Sequence, residues 1–166
     1  MRLLKFLATA GGLASLVACG LFLNSPEAEA QGHVLSVAAM PVIEAKVGST
    51  VKVDVPVEIQ RGYHVNSNTP SDEYLIPLRL QWQEDGALKP SLISFPEPHL
   101  EEYSFSPTPL SVFTEPFKIS TEFRVPSDAM PGPSSINGKL RYQACNDREC
   151  LAPKTLNFTV KLSIVR

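Results

Sequence analysis

Apolar residues recur at every second position over four stretches of the chain. These are Val51, Val53, Val55, Val57 and Ile59; Leu78, Leu80 and Trp82; Phe117, Ile119, Phe123 and Val125, with Thr121 in the same phase; and Leu156, Phe158, Val160, Leu162 and Ile164. A period of two puts one face of a strand in a core and the other in water, and no stretch carries the spacing of an amphipathic helix. Weaker alternation over 34–38 and at Ile136, Leu140 and Tyr142 adds further candidates. Between them, residues 66–71, 84–90, 107–109 and 126–137 are rich in Pro, Gly, Asn and Ser and read as turns. Pro56 and Pro77 fall inside or at the ends of candidate strands, where they point to sheet edges or bulges. Roughly seven or eight short strands with turn signals between them predict an all-β domain, two antiparallel sheets packed as an immunoglobulin-like β-sandwich. Residues 95–112 stand apart: they are punctuated by proline, show no sustained alternation and are expected to form a long loop whose aromatics pack on something.

The first thirty residues do not share this pattern. Arg2 and Lys5 precede a mostly apolar run from Phe6 to Leu23, which is followed by polar residues 24–29 and a small-x-small site, Ala28-Glu29-Ala30. The expectation is a signal peptide over 1–30 with a domain over 31–166. Two rivals compete with it. Leu16-Val17-Ala18-Cys19 reads as a lipoprotein box with Cys19 as the acylated residue, and the apolar run is nearly long enough for an uncleaved membrane anchor. Any of the three makes the domain an exported one. The formal net charge is -2, with both signs interspersed along the chain, so no basic stripe suggests a nucleic-acid partner.

Export gives the cysteines their meaning. Beyond Cys19 the chain has only Cys145 and Cys150, and two thiols in an oxidising compartment read as one pair. They flank a polar turn, Asn146-Asp147-Arg148-Glu149. Across an antiparallel pair such residues can lie about 4.5–5.5 Å apart at Cα, which suits a disulfide. Such a bond is either a staple or a working redox centre. Closing a loop of about 6 residues is worth roughly 2 kcal/mol, against roughly 4 kcal/mol for a bridge closing about 60, so stability alone favours a different placement. Arg148 favours a thiolate nearby and Asp147 and Glu149 oppose it, which leaves thiol acidity open. A zinc site would need more: His33, His64 and His99 have no ligand-like spacing and read as ordinary surface or strand-end residues, so neither metal nor cofactor is expected.

The residues around the pair carry a resemblance. Tyr142-Gln143-Ala144-Cys145 and Cys150-Leu151-Ala152-Pro153 are similar to the double-cysteine signature of the N-terminal periplasmic domain of the thiol:disulfide interchange protein DsbD. Gly62-Tyr63-His64-Val65, Leu75-Ile76-Pro77, Phe95-Pro96 and Phe113-Thr114-Glu115-Pro116-Phe117 fall in the family's order. The resemblance implies an immunoglobulin-like domain that takes electrons from a membrane thiol reductase and passes them to exported thioredoxin-fold proteins, cytochrome c maturation factors among them. It assigns Cys150 to the mixed disulfide and Cys145 to its resolution. It also implies a cap loop over the site, which by position is Glu101, Glu102 and Tyr103 with Phe105, and places Tyr63, Tyr142 and Gln143 around the pair. Larger members carry their membrane and thioredoxin-like domains on the same chain, so the reductant here is expected to be a separate protein. The rival reading is a non-catalytic immunoglobulin-like binding module in which the bond only pins a hairpin.

Overall fold

The computed structural model describes residues 34–83 and 88–166; the signal segment, Cys19 and His33 lie outside them. Among the described residues the strands form three four-stranded sheets. One contains β1 (Leu35–Val37), β3 (Thr50–Ile59), β9 (Phe117–Arg124) and β6 (Lys89–Ser94), in the order β1-β3-β9-β6. The second contains β2 (Ile43–Lys46), β12 (Lys154–Val165), β10 (Gly132–Tyr142) and β5 (Arg79–Trp82), in the order β2-β12-β10-β5. The third, smaller sheet has the order β11-β4-β8-β7, from β11 (Ala144–Cys145), β4 (His64–Asn66), β8 (Leu110–Phe113) and β7 (His99–Glu101). No helix long and apolar enough to cross a membrane occurs among the described residues.

The first two sheets form the predicted sandwich. Alternate residues of β3, β9, β5, β10 and β12 point inward, among them Val53, Val55, Ile119, Phe123, Leu80, Leu140, Val160 and Leu162, and pack as one core. Trp82 joins the two layers. Its ring meets Phe123 edge-on at 5.0 Å, and its Nε1–H donates a buried hydrogen bond of 3.0 Å to Thr121 Oγ1, which satisfies the one polar atom the indole brings inside.

Three features depart from the expectation of two antiparallel sheets. β12 pairs with β2 in parallel, Leu162 opposite Ile43. The segment expected as a loop over 95–112 contains β7, which pairs with β8, so that residues 95–98 and 102–109 are what remains outside strands. The third sheet, with both of these strands in it, was not visible in the alternation. β8 is buried at every position and β7 exposed at every position, so neither shows a period of two. β8 and β4 are covered on two sides: Val65 and Phe113 belong to the main core, while Leu110 and Val112 join Leu75 in a second cluster.

β10 and β12 form the longest pairing, running in register from Gly132 opposite Ile164 to Tyr142 opposite Lys154. Within it Gly138 faces Phe158 on one neighbour and Trp82 on the other. The Phe158 ring lies over the glycine where a Cβ would fall. Gly138→Ala is therefore expected to cost about 1–3 kcal/mol through overpacking. Chemical denaturation should show a lower midpoint at unchanged slope.

Candidate functional site

At the end of the β10–β12 ladder the chain leaves the second sheet for residues 143–153, and both cysteines sit on this excursion. β11 crosses to the third sheet and pairs antiparallel with β4, Ala144 opposite Val65 and Cys145 opposite His64. Residues 146–149 then turn the chain back. Asn146 closes the turn: its N–H donates to the Glu149 carbonyl at 2.9 Å, and its Oδ1 accepts from the N–H groups of Arg148 and Glu149, each at 2.9 Å. A short amide side chain standing in for backbone is the usual device of a tight turn. Leu151 N–H donates to the Ala144 carbonyl at 2.8 Å on the other side of the cysteines.

These two backbone bonds flank the cysteines, which makes Cys145 and Cys150 a non-hydrogen-bonded pair, the closer of the two antiparallel arrangements. Their Cα atoms are 3.9 Å apart, nearer than the spacing alone suggested, and the sulfurs are bonded at 2.04 Å with a dihedral of 98°. The two ends of the bond differ in access. Cys145 is 0% exposed and Cys150 is exposed. The solvent-facing end of the disulfide is thus the Cys150 residue.

Gln143 holds the base of the excursion. Its Nε2 donates to the Leu151 carbonyl at 3.2 Å, and its Oε1 accepts from Asn66 Nδ2 at 3.2 Å and Ile76 N–H at 3.3 Å. One amide thus ties the segment after Cys150 to β4 and to the loop before β5. Asn66 Nδ2 also donates to the Ile76 carbonyl at 3.1 Å, while its Oδ1 is buried without a partner.

Beside Cys145 lies a residue that the sequence did not single out. His64, expected as a surface or strand-end residue, does begin β4 but is only 3% exposed. β11 covers one flank of it, and Tyr103 stacks on its ring at 4.1 Å and 19°. Its Nε2 is buried and has no hydrogen-bond partner. Burial lowers the His64 pKa below the ordinary histidine value, with Asp147 on the cysteine turn pulling weakly the other way. The imidazole is thus neutral at neutral pH. Tyr103 is pushed up to about 12, by burial first and then by Glu101 and Asp147.

The family model for the N-terminal region of the thiol:disulfide interchange protein DsbD matches residues 32–162. The chain belongs to the DsbD N-terminal family. No curated protein matches it. Among solved structures it is similar to the reduced DsbD N-terminal domain of Neisseria meningitidis, at 17% identity over 66% of this chain and 76% of that one, with a TM-score of 0.44. It is also similar to a protein of the aggregative adherence fimbriae of enteroaggregative Escherichia coli, at 7% identity over 80% of this chain and 100% of that one, with a TM-score of 0.37. A bonded cysteine pair with one exposed member fits the thiol–disulfide interchange named in the DsbD description.

The residues that the DsbD resemblance placed at the site fall into three groups. Tyr103 and Phe105 lie on the turn between β7 and β8, stacked on each other at 5.4 Å, and Tyr103 roofs His64. Glu101 and Glu102 are exposed at the start of that turn. Gln143 sits behind the cysteines, as described. Tyr142 and Tyr63 face elsewhere: Tyr142 is buried in the main core, hydrogen-bonded to the backbone at Leu35 and Val34, with burial raising its pKa, and half-buried Tyr63 packs on the same core just before β4. Both shape the sandwich around the site. Among the described residues, no group of His, Cys, Asp or Glu is gathered to hold a metal ion.

Proposed function

We propose that this domain is an exported, periplasmic thiol–disulfide interchange module that relays electrons from a membrane thiol reductase to thioredoxin-fold proteins, including those of cytochrome c maturation. The observation that carries the reading is the unequal exposure of the bonded pair, Cys150 open and Cys145 buried. In the reduced state, the Cys150 thiolate attacks a partner disulfide and releases one partner sulfur as thiolate. Cys145 then attacks Cys150 Sγ, re-forming the internal bond and releasing the partner's second sulfur. Two electrons pass to the partner, and reductase thiols restore the dithiol. Glu101, Glu102, Tyr103 and Phe105 form the cap over this site. Residues 1–30 act as the export signal and 31–166 as the working domain, with acylation at Cys19 or retention of the signal as the two routes to membrane anchoring.

A Cys145→Ala variant tests the reading, because it keeps the attacking sulfur and removes the resolving one. It is expected to accumulate mixed disulfides with thioredoxin-fold proteins, seen as reducible higher-mass species on non-reducing gels and identified by mass spectrometry. Capture of none would leave the binding-module reading, in which the bond is a staple with a reduction potential below about -300 mV.

A further inference from the structure

We infer that His64 is the base that takes the proton from the Cys145 thiol in the resolving step. The inference rests on the exchange reading above and adds the group that makes its second half run. Cys145 and His64 stand directly opposite each other on β11 and β4, where side chains share a face and their Cβ atoms lie about 4.5–5.5 Å apart. A thiol enclosed by apolar atoms stays protonated, because the thiolate is poorly solvated there, and only the thiolate attacks a disulfide. Cys145 is 0% exposed, so water and buffer bases do not reach it. The residue directly opposite it, His64, carries a buried ring nitrogen, Nε2, with no partner of its own.

An unpartnered polar atom at 3% residue exposure costs stability, and native folds leave few of them without a function. The surroundings suit a proton acceptor. Desolvation keeps the imidazole neutral, so its lone pair is free when Cys145 must ionise. Tyr103 covers one face of the ring, with Glu101 near the tyrosine. Asp147, on the cysteine turn, is the charged group that stabilises the imidazolium once it forms. The flanking positions of β4 and its neighbour β8, Val65 and Phe113, are apolar, and the Asn66 Nδ2 group is occupied with Gln143 and Ile76.

The step balances without another reagent. The Cys145 S–H proton moves to His64 Nε2, the Cys145 thiolate attacks Cys150 Sγ, the internal S–S bond forms and the bond to the partner sulfur breaks. The departing sulfur carries the electron pair away as a thiolate, which takes up the proton that His64 gives back.

The test uses the reduced protein and one equivalent of dithiobis(nitrobenzoate). Attack by Cys150 releases one nitrothiobenzoate, and resolution by Cys145 releases the second, so the two halves are read as two absorbance phases. In the unsubstituted protein the second phase is expected to slow at acid pH with an inflection below the ordinary histidine range. His64→Gln should slow the second phase at neutral pH on the order of 10²-fold and abolish that inflection while leaving the first phase unchanged. A second phase that keeps its rate in the variant overturns the inference. So does an unsubstituted protein without the inflection, a result that needs no variant to fold. Absence of both phases overturns the exchange chemistry as well, whereas two normal phases with no partner captured by Cys145→Ala overturn only the proposed partners.

Discussion

Cys150→Ala is expected to reduce disulfide exchange with thioredoxin-fold substrates by at least about 10³-fold, the scale on which enzymes lose activity when a covalent nucleophile is removed. The size of the effect follows from the unequal burial of the pair. Cys145 is enclosed by β4 and the residues around it, so the thiol left behind in the variant has no approach to a partner sulfur. Cys145→Ala, by contrast, keeps the accessible sulfur and should still complete the first half of the reaction. Thiol formation in an oxidised thioredoxin-fold substrate, followed by alkylation and gel shift, measures the difference. Equal loss in the two variants at the mixed-disulfide step, or residual exchange by Cys150→Ala, would mean that the accessible sulfur is not the attacking one.

The second large effect is on stability. Phe123→Ala is expected to cost about 3–5 kcal/mol, a substantial part of the roughly 5–15 kcal/mol typical of a domain. Phe123 is 0% exposed on β9 and packs edge-on against Trp82, which reaches across from β5. Truncation removes apolar area from the centre of the sandwich and leaves the indole, held in place by its hydrogen bond to Thr121, facing a void. Guanidinium titration should show a much lower midpoint at unchanged slope. A loss under about 1 kcal/mol would show that the layers are not joined through this pair.

The strands that could be read in the sequence are those with one wet and one dry face. β3, β5, β9 and β12 alternate because each lies on the sandwich with its outer side in water. The third sheet escaped notice for the opposite reason. β4 and β8 are covered on both sides and β7 on neither, so the cue disappears where the site is built. The bond between Cys145 and Cys150 was legible because a four-residue polar turn is a local feature. His64 was not, because nothing near it in the chain reports its burial. Its cover comes from Tyr103 and from β11, far along the sequence in one direction and farther still. The signal that could have found it is its place in Gly62-Tyr63-His64-Val65, one of the segments on which the resemblance rested, where a titratable ring sits next to a valine that enters the core.

The long register of β10 with β12 ends at Tyr142 and Lys154, the last paired residues on either side of the cysteine excursion. Both roots of that excursion are thus clamped by main-chain pairing that does not involve sulfur, and Gln143 clamps it again at Leu151. Opening the S–S bond loosens a short tip and leaves its foundations in place. Oxidised and reduced forms are accordingly expected to share one scaffold, the reduced one less stable by no more than the roughly 2 kcal/mol that closing so short a loop is worth, so a carrier built this way can be loaded and unloaded repeatedly without refolding between trips.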